Sequence, residues 1–241
     1  MNQSALSALI WSVADLLRGD YKQSDYGKII LPFTLLRRLD CVLAPTKDKV
    51  LAELAKRKAA KVPPHEFLLR AAKQGFYNTS KLDFDKLLAD PGNIRSNVLD
   101  YIGGFSPQVR EIFERYDFQQ QVVKLAEADL LYRVVQKFAS KDIDLSPRSV
   151  DNTGMGLIFE ELIRKFAELS NETAGEHFTP REVIRLMVDL IFVEDDAALS
   201  KPGVVRSIYD PTAGTGGMLS VAGEHLAAMN PGARLVMYGQ E

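Results

Sequence analysis

Val204-Val205-Arg206-Ser207-Ile208-Tyr209-Asp210-Pro211-Thr212-Ala213-Gly214-Thr215-Gly216-Gly217 is the stretch on which the fold turns. Val204 to Tyr209 is apolar and β-rich and reads as a strand, and the glycines after Asp210 make a turn. Beyond the turn Met218, Leu219, Val221, Ala222 and Leu226 belong to a helix, and Leu235 to Tyr238 reads as a second strand. Strand, turn, helix and strand within about 38 residues form a βαβ unit, whose right-handed crossover makes the strands parallel. An α/β domain therefore begins here.

The turn carries the chemistry. At the carboxyl end of the first strand, glycines let backbone amides approach a ligand and expose the positive end of the following helix, which suits a carboxylate or phosphate. A P-loop is disfavoured, because no lysine lies between Arg206 and Glu241. The dinucleotide fingerprint is incomplete: counted from Gly214 and Gly216, its third glycine falls on Leu219. What remains is a Gly-x-Gly-Gly loop with Asp210 at the end of one strand and Glu241 at the end of the next. Two such carboxylates can hold an amine and a ribose diol, and S-adenosylmethionine offers both.

Upstream the grammar is different. Leu6, Leu9, Ile10, Val13, Leu16 and Leu17 recur at helical spacing and stop at Gly19. Ser106-Pro107 reads as an N-cap with proline at the first helical position, Gly103-Gly104 as a helix stop, and Phe76 to Ser80 and Pro91 to Asn93 as breakers. Asp117 to Ala139 continues in the same style, with no alternating strand pattern. Ser140 to Ser149 is a polar connector, and Met155 to Phe166 marks a further amphipathic helix ending near Ser170. The expected architecture is α plus α/β: an all-helical domain over 1–148, then the α/β domain over 149–241.

The 241 residues, 46% hydrophobic and 26% charged, have an ordinary globular composition. Cys41 is alone and cannot form an internal disulfide, no secretory leader is legible, and no run reaches the ~18 residues of a membrane span. A cytoplasmic protein without a membrane partner is expected. A net charge of -2 advertises no global affinity for nucleic acid. The basic run from Lys47 to Lys61 reads as a solvated helix face. His65, His177 and His225 lack the spacing of zinc ligands, and no Gly-x-Ser-x-Gly nucleophile motif is present.

Asp210 to Gly217 resembles the cofactor loop of amino-group DNA methyltransferases. Gly175-Glu176-His177-Phe178-Thr179-Pro180-Arg181-Glu182, about thirty residues upstream, resembles the Phe-Thr-Pro motif of the adenine-N6 branch. Met155 to Ile163 and Leu31-Pro32-Phe33-Thr34-Leu35-Leu36-Arg37-Arg38-Leu39-Asp40 are similar to the modification subunit of type I restriction-modification systems. The resemblance covers nearly the whole chain and implies a Rossmann-like domain binding S-adenosylmethionine and methylating adenine N6 in double-stranded DNA. It further implies a specificity subunit, a restriction subunit and a second modification subunit as partners. Its cofactor-binding residues are Glu176, His177, Phe178, Thr179 and Pro180, the last three lining the methionine side. Asp210, Pro211, Thr212, Ala213, Gly214, Thr215, Gly216 and Gly217 wrap the methionine portion, and Glu241 grips the ribose. Thr179-Pro180-Arg181-Glu182 is also a complete capping box, so Thr179 has a purely structural reading beside the functional one.

Extracting a base from the duplex calls for an Asn-Pro-Pro-aromatic tetrad in this family. The only Asn-Pro here, Asn230-Pro231, continues as Gly232-Ala233 and falls between helix and strand. The expectation is a domain truncated after its second strand, the N-terminal part of a longer protein and catalytically silent alone. Two readings compete with it: a helical interaction module with an α/β scaffold, and a fragment of an NAD-dependent oxidoreductase.

Overall fold

A computed structural model describes residues 11–140, 143–169, 179–214 and 216–240. It divides into two compact units, Met1–Glu172 and Thr173–Glu241.

The first unit is helical. Residues 11–17 form a helix that ends at Gly19, whose φ of 98° is the left-handed value glycine tolerates. There follow α1 (Gly27–Leu43), α2 (Lys47–Ala60), α3 (His65–Ala72), α4 (Phe84–Leu88), α5 (Ile94–Gly103), α6 (Pro107–Arg115), α7 (Phe118–Glu127), α8 (Leu131–Phe138) and α9 (Asn152–Leu169). α1 runs through the core, burying Ile29, Ile30, Phe33, Leu36 and Leu39. Phe33 sets its ring edge-on to Phe118 of α7 at 4.9 Å and stacks on Phe138 of α8 at 5.5 Å. Phe118 continues to Phe113 of α6 at 5.4 Å. These aromatics join four helices through large apolar contacts with defined ring geometry.

One local reading is revised and another gains its physical reason. Gly103-Gly104 stops α5 as read, with Gly104 as its C-cap, but at φ −73° and not in the left-handed region. Glycine is needed there for space, because a Cβ would lie 2.5 Å from Asn78 Oδ1 and 2.7 Å from the Ser80 amide nitrogen. α2 and α3 end instead on left-handed lysines, Lys61 and Lys73. The basic face of α2 is only partly solvated. Lys47 and Arg57 are half-buried: the Lys47 ammonium donates to the Leu82 carbonyl and stands 5.0 Å from the Tyr101 ring centre, and Arg57 lies 3.7 Å over Phe67. Their aliphatic stems and ring contacts draw them inward while Lys49, Lys56 and Lys58 stay exposed.

The connector after α8 is held by one side chain. Arg38, 7% exposed, donates to the carbonyls of Leu145 and Val150 at 2.6 and 2.7 Å and to Asn152 Oδ1 at 3.0 Å. α9 then packs on α1, with Phe166 against Gly27, where a Cβ would come within 3.3 Å of the ring.

The second unit contains α10 (Arg181–Val193), α11 (Asp196–Leu199), β1 (Val205–Asp210), α12 (Gly217–Met229) and β2 (Arg234–Gly239). β1 and β2 are parallel, with Val205 opposite Arg234 and Asp210 opposite Gly239. This is the βαβ unit read from the sequence, with β1 one residue later and β2 one residue longer at each end. α10 packs on α12 through Ile184, Val188 and Phe192 against Val221, Ala222 and Leu226, and Ile208 and Leu235 of the strands join that core. The described part of the protein is thus mostly helical with a small two-stranded parallel sheet. Among the described residues no helix is long and apolar enough to cross a membrane.

Candidate functional site

The site is built where β1 ends. Asp210 occupies the last position of the strand, and its Oδ1 accepts from the Thr212 amide at 3.1 Å, turning the chain sharply. Gly214 and Gly216 follow at φ 51° and 78°, conformations that L side chains rarely adopt. A Cβ on either would meet nothing within 4 Å, so the loop faces open space. Gly216 is the N-cap of α12 and offers no side chain to cap it. The amides of the first helical turn, from Gly217 onward, therefore point out of the loop with the positive end of the helix behind them. That donor set and that opening fit a carboxylate.

The floor of the loop comes from β2. Gln240 donates its amide to the Asp210 carbonyl at 2.9 Å, and its own carbonyl accepts from the Ala213 amide at 2.8 Å. Its side-chain oxygen accepts from the Tyr209 hydroxyl. Gly239 lets this floor approach, since a Cβ there would lie 3.1 Å from Ala213 Cβ and 3.2 Å from Leu219 Cδ1. Neither residue stands out by motif; the legible signal is parallel pairing, which sets the residues after β2 beside those after β1.

The start of α10 faces the same helix. Thr179 and Pro180 are exposed, and Ile184 in the next turn packs its Cδ1 2.9 Å from where a Cβ on Gly217 would stand. The capping box is not made: Pro180 is the N-cap, no side chain caps α10, and the Val183 and Ile184 amides bond to the Pro180 carbonyl. Proline already supplies the extended entry angle, so Thr179 sits one position too early to cap. Arg181 reaches instead to Glu224 of α12 at 2.6 Å. His225, also on α12, pairs with Asp189 of α10 at 3.0 Å and stacks edge-on against Phe192.

Thr179, Pro180, Asp210, Pro211, Thr212, Ala213, Gly214, Gly216 and Gly217 are placed by the structure, all in the second unit. Glu176, His177, Phe178, Thr215 and Glu241 lie outside the described residues. Asn230 is committed to local structure: its amide nitrogen donates to the carbonyls of Leu199 and Lys201 at 2.8 and 2.9 Å, and its oxygen accepts from the Gly232 amide at 3.1 Å.

Comparison with known proteins falls into two parts that meet between the last helix of the α1–α8 array and α9. The HsdM N-terminal domain family matches residues 6–138, and the N-6 DNA methylase family matches residues 150–241. α9 thus lies within the methylase match while its contacts place it in the first compact unit. The methylase subunit of the type I restriction enzyme MjaIX of Methanocaldococcus jannaschii is 24% identical over 229 residues, covering 90% of this chain. That of EcoEI from Escherichia coli is 37% identical over 97 residues, 40% of this chain. The chain spans 39% and 17% of the lengths of these two relatives. With a helical domain matched over more than half its length and a methylase match directly after it, the chain belongs to the HsdM modification-subunit family of type I restriction-modification systems.

Proposed function

We propose that the protein serves as the modification subunit of a type I restriction-modification complex, in which a methyl group passes from S-adenosylmethionine to adenine N6 of a specific double-stranded DNA sequence. The observation that carries this reading is the uncapped first turn of α12, reached through left-handed Gly214 and Gly216 at the carboxyl end of β1, with Ile184 of α10 against Gly217.

S-adenosylmethionine supplies an electrophilic methyl on a sulfonium centre. The chain's own residues bind and orient it. The first-turn amides of α12 receive the methionine carboxylate, favoured by the helix dipole. Asp210 spends Oδ1 on the turn and keeps Oδ2 for the methionine ammonium. Thr179 and Pro180, together with Phe178, border the methionine side, and Glu241 takes the ribose hydroxyls. Gln240 and Gly239 hold the loop in shape from below. The catalytic domain is taken to start at 149 and to be Rossmann-like. The proposal includes a specificity subunit that reads the DNA, a restriction subunit and a second modification subunit, all in the cytoplasm. The absence of a strong net positive charge agrees with DNA contact shared among subunits.

Isothermal titration with S-adenosylmethionine tests the site. The wild type should bind, and Gly216→Asp should abolish binding, because it strains a left-handed position and sets a carboxylate against the amides meant for another. Equal affinity for both proteins would remove the loop as the binding site.

A further inference from the structure

α10 is entered through Thr179-Pro180. Thr179 and Pro180 are exposed, and no side chain caps the helix. The first buried residue after them is Arg181, 8% exposed, whose guanidinium donates to Glu224 Oε2 at 2.6 Å. Glu224 stands about two turns into α12, the helix that starts at the glycine loop. One turn beyond Arg181, Ile184 meets Gly217, the first residue of α12, so closely that a Cβ there would stand 2.9 Å from its Cδ1. An ion pair and an apolar contact therefore fasten the first turn of α10 to α12 at two points.

The apolar contact sets how near the helices come. Further along, Val188 and Phe192 pack on the α12 core and Asp189 pairs with His225, which holds the rest of α10. At the first turn the Arg181–Glu224 pair adds direction to distance, because a guanidinium is a planar fork. A charged pair with one buried end is a costly way to gain stability, since apolar side chains of similar volume serve as well or better. Its worth is geometric.

We propose that Arg181 is a positioning residue of the cofactor site: through Glu224 it sets the Thr179-Pro180 turn against the glycine loop, so that the methionine half of S-adenosylmethionine meets both. The proposal rests on the S-adenosylmethionine reading given above. It assigns Arg181 no contact with the ligand.

The test titrates the 241-residue chain and its Arg181→Met, Glu224→Gln and doubly substituted forms with S-adenosylmethionine and, separately, with adenosine, below the melting temperature of each protein. Each single variant should bind S-adenosylmethionine about tenfold more weakly, as loss of a charged hydrogen bond predicts, and adenosine as the wild type does. The double variant should be no worse than Arg181→Met alone, because Glu224→Gln breaks a link that Arg181→Met has already removed. If Arg181→Met does not fold, Glu224→Gln, altered at the exposed end of the pair, carries the comparison with adenosine. Equal weakening of both ligands would make the pair a mere brace of the fold and overturn the proposal, as would unchanged S-adenosylmethionine affinity or additive losses. A wild type that binds no S-adenosylmethionine would overturn the cofactor reading itself, and the positioning role with it.

Discussion

Asp40 closes a buried polar chain in the helical unit. Its Oδ1 accepts from the Tyr101 hydroxyl at 2.6 Å and its Oδ2 from Arg37 at 3.1 Å. Burial raises its carboxyl above the ordinary range, and the Tyr101 hydrogen bond and the Arg37 charge pull it back only part of the way. Burial, reinforced by the Asp40 charge, likewise raises the Tyr101 phenol well above its ordinary value. For Asp40 the folded value exceeds the unfolded one, so the folded state holds the proton more tightly. The stability this group contributes is complete below the unfolded carboxyl value of about 3.9 and is lost as pH rises through the raised folded value. The stability of the wild type minus that of Asp40→Asn should therefore fall as pH rises through that window. Urea denaturation at several pH values measures it, and a constant difference would show that Asp40 titrates alike in both states. Thr179 teaches the complementary lesson at this scale. Thr-Pro-Arg-Glu has every letter of a capping box, yet proline at the cap position leaves the threonine outside the helix.

At the scale of elements, the end of α5 shows which glycine matters. The turn from Asn78 to Ser80 is pinned on it: Asn78 Nδ2 donates to the Tyr101 carbonyl at 2.9 Å, the Thr79 amide to the Gly104 carbonyl at 2.8 Å, and the Ser80 hydroxyl to Asp100 at 2.7 Å. Gly104 lies under that turn, whereas a Cβ on Gly103 would meet nothing within 4 Å. Gly104→Ala should destabilise the helical unit by about 1–3 kcal/mol through overpacking. Gly103→Ala should be neutral or stabilising by up to about 1 kcal/mol, since it removes only unfolded-state freedom. Thermal denaturation of the two variants should give opposite shifts, and shifts of the same sign would contradict the close approach. Arg38 acts between elements as well. With Leu145 fully buried and Val150 nearly so, Arg38→Met would strip their carbonyls of a buried donor and cost about 1–3 kcal/mol per orphaned group. Chemical denaturation should register that loss. A stability within about 0.5 kcal/mol of the wild type, the usual range for surface changes, would show that the connector is held by other means.

At the scale of the molecule the two units differ in how much they bury. The first has a continuous core running from Val13 to Phe166. The second, among its described residues, buries seven apolar side chains, and Val205, Tyr209 and Tyr238 on its strands are more than half exposed. A two-stranded sheet has little independent stability. Leu226, 1% exposed, is a large buried side chain of the small core. Leu226→Ala should cost about 2–5 kcal/mol and speed amide exchange through α10 and α12. Trp11, the only tryptophan, lies in the first unit and reports on it by fluorescence. Its unfolding midpoint should not move in Leu226→Ala. A midpoint that falls with the exchange rates would mean that the two units unfold as one.

The sequence alone determined what depends on neighbours along the chain. Strand, glycine turn and helix after Val204, parallel pairing of the two strands, and helix after helix before residue 140 all follow from periodicity, from turn chemistry and from the handedness of a short crossover. Two of the placed loop residues, Gly214 and Gly216, were legible for the same reason: left-handed positions call for glycine. Tertiary structure decided what depends on residues far apart in sequence. It drew Lys47 and Arg57 inward onto aromatic rings, chose space over backbone angle as the reason for Gly104, and tied Arg38 to carbonyls more than a hundred residues away. It also set Gln240 beneath the glycine loop and paired Arg181 with Glu224. A local pattern specifies a backbone conformation, but which buried donor meets which acceptor is settled only when packing brings them together, because an unpaired polar group inside the fold is too costly to leave.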